Sequence, residues 1–333
     1  MFKWNKEIWE AVRDRVDRLP HAVLIQGPEG VGKLALAEKL ASRLLCESPT
    51  EISDPCGHCE GCRWVASGSH PDLRRVEPDA LSDAVASAEE PEREARGARR
   101  AKPSLEIRVD QIRQLSDFLY LGSHRGRRRV AIVHPAESMN VNAANALLKG
   151  LEEPPAGAMF LLVSHHPARL LPTIRSRCVV VPVARPEEAA ALAWLESVGG
   201  ETRQMRRWLA FAGGSPRLAH EYASGERGVR MTPYLDAVIQ GRPEDLPEAT
   251  DRESLESLAE VLQKHAIDRV AFALAGRSVY GTVGKDAKAS RATPLAWARL
   301  ARYLGTARAL ARHPVNPRLF SAEMIAEIQN SDY

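Results

Sequence analysis

Long apolar runs are absent from this 333-residue sequence. No stretch approaches the ~20 residues that a membrane-crossing helix requires, so no membrane span is expected. The N-terminal MFKWNKEIWEAVRDR is charged and helix-like where a secretory leader would be apolar, and the expected location is the cytoplasm. Net charge is scarce as well. A formal +3 gives no general attraction to nucleic acid or anionic membrane, so any basic site must be local. No internal repeat is evident. Cysteine is sparse, with five residues, but four of them crowd between positions 46 and 62. That crowding speaks against a disulfide framework and for metal binding. The length exceeds one ordinary compact core and predicts two or three domains.

A more local absence is a single hydroxyl. Gly27-Pro28-Glu29-Gly30-Val31-Gly32-Lys33-Leu34 reads as a phosphate-binding loop, G-x-x-x-x-G-K-[S/T], with leucine at the last position. The missing hydroxyl would ligate the magnesium that neutralises phosphate charge. The loop stands where it should, after an apolar strand over Ala22 to Ile25 and before an apolar-periodic helix from Lys33 to about Leu45. Its backbone amides, with Gly27, Gly30, Gly32 and Lys33, retain what is needed to cradle a phosphate.

Cys46, Cys56, Cys59 and Cys62 follow as C-x9-C-x2-C-x2-C, with Gly57 and Gly61 inside the knuckle PCGHCEGC. Four soft thiolates suit tetrahedral Zn2+, and a closed four-ligand set leaves no place for a reacting water, so the site reads as structural. Coordination in such modules supplies on the order of 10 kcal/mol of apparent folding free energy. His58 is a conceivable substitute ligand, but its place inside the knuckle argues against it. Reduced buried cysteines, a redox pair or an iron–sulfur cluster remain the alternatives.

From Pro78 to Ser104 the chain is rich in Ala, Glu, Arg and Pro, with Leu81 and Val85 its only large apolar residues. Such a segment buries too little surface to offset its ordering and reads as a flexible insertion. Helical spacing resumes with Val109, Ile112, Leu115 and Leu119. Arg127-Arg128-Arg129 leads into a strand over Val130 to Val133, and a charged turn feeding a buried strand is preferred there over a DNA contact.

That strand ends Val133-His134-Pro135-Ala136-Glu137, with His134 and Pro135 where an NTPase carries its acidic pair. Glu137 alone, with no hydroxyl at position 34, makes a poor magnesium site. A helix over Asn142 to Glu153 shows Ala143, Ala146, Leu147 and Leu151 on its apolar face and is stopped by Pro154-Pro155. Strands over Met159 to Ser164 and Val179 to Val183 complete an alternation that indicates a parallel α/β sheet covered on both faces. Beyond Arg185 the patterns are helical: a helix opened by Pro186, another over Arg206 to Ala212, a boundary near Gly225 to Arg230, then long amphipathic patterns.

The cysteine module, ANALLKGLEEPP, the Ser176-Arg177-Cys178 triplet, GGSPRLA and NPRLF together carry a resemblance across almost the whole chain apart from residues 78–104. The chain resembles the delta-prime family of bacterial DNA polymerase III clamp-loader subunits. The resemblance implies an AAA+ parallel-sheet P-loop module over 1–183, with a zinc module at about 46–75 and the insertion at about 78–104. It further implies a small helical lid over 184–228 and an all-helical collar over 229–333. It implies a rigid, non-hydrolysing member of an open ring with gamma/tau and delta subunits, acting with the sliding clamp and primed DNA. It places an arginine finger at Arg177, a sensor arginine at Arg217 and a first sensor at Ser164. ATP or ADP binding at the degenerate loop, without hydrolysis, is compatible with Lys33 and Arg217. Cys178 reads as a buried small hydrophobe. Two other readings compete: an active AAA+ ATPase of the gamma/tau motor type, for which the metal ligands are missing, and a zinc-dependent DNA-binding knuckle. For the latter Arg63 and Trp64 adjoin the knuckle, but His58, Glu60 and the glycines give little for phosphate to grip.

Overall fold

The structure is a computed structural model. It describes residues 1–48, 54–81, 103–121, 128–199, 201–284, 292–311, 313 and 315–332. The expected flexible insertion therefore lies mostly outside the described residues, as does Arg127. The chain forms two compact units, Met1–Arg185 and Pro186–Tyr333.

The first unit is built on β1 (Ala22–Gln26), β2 (Leu73–Val76), β3 (Arg129–Val133), β4 (Ala158–Ser164) and β5 (Val179–Pro182), in the order β2-β3-β4-β1-β5. Every pairing is parallel, with Gln26 opposite Ser164 and Val133 opposite Leu162. All seven residues of β4 are buried. Because strand side chains alternate between faces, Phe160 and Leu162 feed one apolar core while Met159, Leu161 and Val163 feed the other. Helices α1 (Lys6–Arg13) and α2 (Lys33–Leu45) cover the second face with Trp9, Leu36, Leu40 and Leu44. The short α3 (Glu60–Ala66) belongs to the cysteine segment.

Helices α4 (Val109–Tyr120) and α5 (Val141–Glu152) cover the first face. Asn140 caps α5 by accepting from the Ala143 amide at 2.9 Å. Near its other end, a Cβ on Gly150 would lie 3.1 Å from the Phe160 ring, so glycine lets the helix approach β4 closely. A one-turn helix, α6 (Pro172–Arg175), precedes β5.

Two features depart from the sequence reading. Leu73–Val76 is a strand, although no strand was expected there. Arg129, expected in a charged turn, is the first residue of β3 and only 4% exposed. Its Nε lies 3.3 Å from buried Asp72, its guanidinium stacks on Phe118, and it donates to the Phe118 carbonyl. Arg129 is thus an internal cation that joins the entrance of β2 to β3 and α4.

The flanks of the insertion meet. The Ala80 amide donates to the Ser104 carbonyl at 3.0 Å, and Arg108 pairs with Asp79 at 2.9 Å.

The second unit is helical: α7 (Glu188–Ser197), α8 (Thr202–Phe211), α9 (Pro216–Ser224), α10 (Glu226–Ile239), α11 (Arg252–Ala275), α12 (Pro294–Leu310) and α13 (Pro317–Asp332). One apolar core runs from Ala191 to Ile328, and α10 passes through residue 228. Glu260 on α11 is 3% exposed and receives Tyr222 Oη at 2.7 Å, Lys264 at 2.8 Å, Arg227 at 2.5 Å and Arg308 at 2.9 Å. Burial pushes its carboxyl up, but Lys264, Arg308 and Arg227 outweigh that and hold it well below the carboxylate range.

Removing this carboxylate leaves three cations without their common partner. Glu260→Ala is expected to lower unfolding free energy by about 3–5 kcal/mol, measured by urea denaturation of the chain. Because the folded pKa is depressed, this stabilisation is complete above the unfolded value and declines as pH falls below it; Glu260→Gln should lack that acid-side decline.

Candidate functional site

β1 delivers the chain to the phosphate loop at the C-terminal end of the sheet. The Gly27 amide donates to the Ser164 carbonyl at 3.3 Å, and a Cβ on Gly27 would fall 2.0 Å from the Val183 carbonyl oxygen. Gly32 has φ +89°, and a Cβ there would meet the Phe2 ring at 2.4 Å. Trp4 and Asn5 donate to the Val31 carbonyl at 3.0 and 3.1 Å, so the N-terminal segment is fastened against the loop. The Leu36 amide donates to the Gly32 carbonyl at 3.1 Å, which starts α2 directly at the loop.

Lys33 is 2% exposed, and its ammonium donates to the Pro28 carbonyl of its own loop. Burial lowers its pKa to about 8, with Glu137 and Glu29 opposing. Leu34, which brings no hydroxyl to the loop, packs its half-buried side chain against the second apolar core. Glu137 Oε1 accepts the His165 and His166 amides at 2.9 and 3.0 Å, while its buried Oε2 has no hydrogen-bond partner among the described residues. His134 Nδ1 lies 2.8 Å from Glu77, and its ring meets His165 edge-on at 5.2 Å. Burial takes His165 down to about 3, and the nearby Lys33 adds to the shift. Ser164 is fully buried, and its Oγ has no hydrogen-bond partner among the described residues. The loop amides and Lys33 fit an anionic phosphate; the donor set around Leu34, His134 and Glu137 does not fit a magnesium ion.

Arg217 stands in the first turn of α9, exposed, in the second unit. Arg177 belongs to the first unit but lies at the opposite end of the sheet from the loop. It follows α6 and precedes the start of β5, whereas the loop follows the end of β1. Five residues of strand separate these ends by roughly 17 Å. Buried Ile174 and half-buried Cys178 anchor the backbone on either side of Arg177. Burial raises the Cys178 thiol to about 11, consistent with an inert packing residue.

The four thiols converge. Their Sγ atoms all lie within 4.8 Å of one another, with Cys46–Cys59 at 4.0 Å and Cys56–Cys62 at 3.9 Å. A tetrahedral site with 2.3 Å metal–sulfur bonds has sulfur–sulfur edges of about 3.8 Å. Amides reinforce the set: Cys56 N donates to Cys46, Cys59 N to Cys56 and Cys62 N to Cys59 at 3.3–3.4 Å. Burial raises Cys59, but amides of Cys62 and Glu47 and the thiols of Cys56 and Cys62 bring it down to about 6. Burial lifts Cys62 to about 12. His58 is exposed, its Nδ1 2.8 Å from the Cys56 carbonyl. A Cβ on Gly61 would meet the Leu45 carbonyl at 2.7 Å, so glycine allows the knuckle to close.

Sequence reasoning missed how this knuckle is fastened. Asp54 accepts from Trp9 on α1 at 2.5 Å and from Lys39 on α2 at 2.7 Å. It also missed Glu77 and the backbone role of Glu137, neither of which has a local sequence signal.

Residues 6–187 match the sequence family described as DNA polymerase III, delta subunit. The chain is 42% identical over 221 residues to DNA polymerase III subunit delta' of Pseudomonas aeruginosa, covering 66% of this chain and 60% of that protein. It is 34% identical over 207 residues to the delta' subunit of Escherichia coli, covering 62% and 55%. The tau subunit of Escherichia coli matches over 162 residues at 35%, covering 49% and 21%. The match thus spans about three fifths or less of these relatives' own lengths. Among solved structures, a gamma subunit-related protein from Thermotoga maritima aligns with TM-score 0.45 and 16% identity, covering 98% of this chain and 99% of that one. Among the described residues no helix is long and apolar enough to cross a membrane.

Two measurements check the site. Relative to Lys33→Met, the native chain should gain stability as pH rises from about 8 to the ordinary lysine value of 10.5, because the unfolded chain then holds a proton that the folded chain has released. The gain should be of order 3 kcal/mol by denaturation at each pH. Cys59→Ser should lower bound metal measured by elemental analysis, together with the melting temperature, and a chelator should do the same to the native chain.

Proposed function

This chain belongs to the DNA polymerase III delta-subunit family, as a member of the delta-prime type, and from that premise we propose that it is a non-hydrolysing clamp-loader subunit. In this reading Arg177 completes the ATP site of a neighbouring gamma/tau motor subunit during loading of the sliding clamp onto primed DNA in the cytoplasm. The observation that carries it is the position of Arg177 at the end of the parallel sheet opposite the chain's own phosphate loop. An arginine so placed is remote from its own loop and available to a neighbour's.

A guanidinium presented in trans stabilises charge on transferring phosphate oxygens. The chain's own loop supports the complementary half of the reading. Gly27, Gly30, Gly32 and Lys33 would hold a phosphate of ATP or ADP, while Leu34 and His134 supply neither the hydroxyl nor the acidic pair that cleavage needs for its metal, and leave Glu137 as a lone carboxylate. Zn2+ is the ion proposed for Cys46, Cys56, Cys59 and Cys62, holding the knuckle as a structural module. The helical part of the chain would divide into lid (184–228) and collar (229–333), the collar contacting gamma/tau and delta. An active ATPase of the gamma/tau type is favoured only by Lys33 and the partial likeness to tau subunits, and it lacks the ligands named above.

In a reconstituted ring, Arg177→Ala should leave assembly intact and lower DNA-stimulated ATP turnover, with a loss on the order of 10³-fold at the neighbouring site. The isolated chain should show no turnover above a Lys33→Ala control. Unchanged ring turnover in Arg177→Ala, or Lys33-dependent turnover by the chain alone, would overturn the reading.

A further inference from the structure

We propose that Glu152 is the positioning residue for Arg177, fixing the guanidinium in the orientation it presents to the neighbouring subunit; this deepens the reading of Arg177 given above and rests on it. Arg177 Nη2 lies 2.6 Å from Glu152 Oε1, and Nη1 donates to the Thr173 carbonyl at 3.0 Å. These two contacts, made from α5 and α6, hold both terminal nitrogens of one planar fork. A guanidinium has five N–H donors, so three remain for phosphate oxygens after both contacts are made.

Stability does not account for the pair. Arg177 and Glu152 are 35% and 49% exposed, and ion pairs at such exposure contribute little to folding. Glu152 is also the last residue of α5, where the negative end of the helix dipole disfavours a carboxylate; Lys149 in the same turn has the sign that this end favours. The support beneath Glu152 is firm. Gly150 sits against Phe160 of β4, and the Leu151 carbonyl lies 2.9 Å from His21 Nε2 just before β1. Across the pair, Thr173 O also accepts Ser176 Oγ at 3.0 Å, and Ile174 is fully buried. Both contacts to a long, flexible side chain thus come from anchored elements, the arrangement that preorganises a cation for a short-lived charge.

The role requires an oxygen acceptor at position 152 more than a charge, which separates Glu152→Gln from Glu152→Ala. Two readouts test it. In the isolated chain, ¹⁵N relaxation of Arg177 Nε should show greater mobility in Glu152→Ala than in the native chain or Glu152→Gln. In the reconstituted ring with gamma/tau, delta, clamp and primed DNA, Glu152→Ala should lower kcat for ATP about 10-fold with KM unchanged and assembly intact. Glu152→Gln should restore kcat to within about twofold of native. The proposal is overturned if Glu152→Ala leaves Nε mobility and kcat unchanged, or raises kcat, while Arg177→Ala impairs turnover. If Arg177→Ala itself has no effect, the reading of Arg177 fails and this proposal with it, an outcome that the Arg177→Ala arm distinguishes from failure at Glu152 alone.

Discussion

In a sheet whose strands all run the same way, the two ends are chemically different places. Chain leaving the carboxyl ends of β1, β3 and β4 makes the phosphate loop, the His134–Glu137 corner and the His165–His166 turn. Chain entering the amino end of β5 carries Arg177, and the end of α5 returns there with Glu152. Parallel pairing therefore separates a loop that would hold phosphate from an arginine that would act on phosphate. The constraint is held by β4, whose seven buried residues feed both cores, and by close approaches such as Gly27 to Val183 that admit no side chain. On the proposed function, that separation is what makes the subunit useful to a neighbour.

Several buried or half-buried charges in both units are matched by the groups around them. Glu260 gathers Lys264, Arg227 and Arg308, Arg129 meets Asp72, and Glu137 takes two backbone amides. Lys33 instead folds back on the Pro28 carbonyl, and burial lowers its pKa.

Much of the first unit was legible because its signals are local. β1, α2, β3, α5 and β4 each carry a short periodic or continuously apolar pattern, and their observed ends fall within a residue or two of the expected ones. The thiol cluster was legible from spacing alone, since knuckle geometry is set within a few residues. β2 was not, because Leu73–Val76 carries Arg74 and Arg75 outward and owes its strand form to β3, more than fifty residues away. Arg129 and Glu260 were illegible for the same reason: each looks like an ordinary surface charge until distant partners enclose it, and Asp54, which stays exposed, gives no sign of its distant partners Trp9 and Lys39. Glu152 stood in a recognised motif, but its contact with Arg177 depends on two elements meeting across β4 and the connection into β5.

The insertion between β2 and α4 leaves and re-enters the fold through one hydrogen-bonded gate, Ala80 to Ser104, braced by Asp79 and Arg108. Loop-closure entropy grows only slowly with length once the ends are fixed. For the evolution of the chain this means that a change in the segment's length alters the entropy of closing it only slightly. For the experimenter the same gate is a socket, where a fluorophore-bearing peptide or affinity handle can replace native sequence while both Arg177 and the thiol cluster remain untouched.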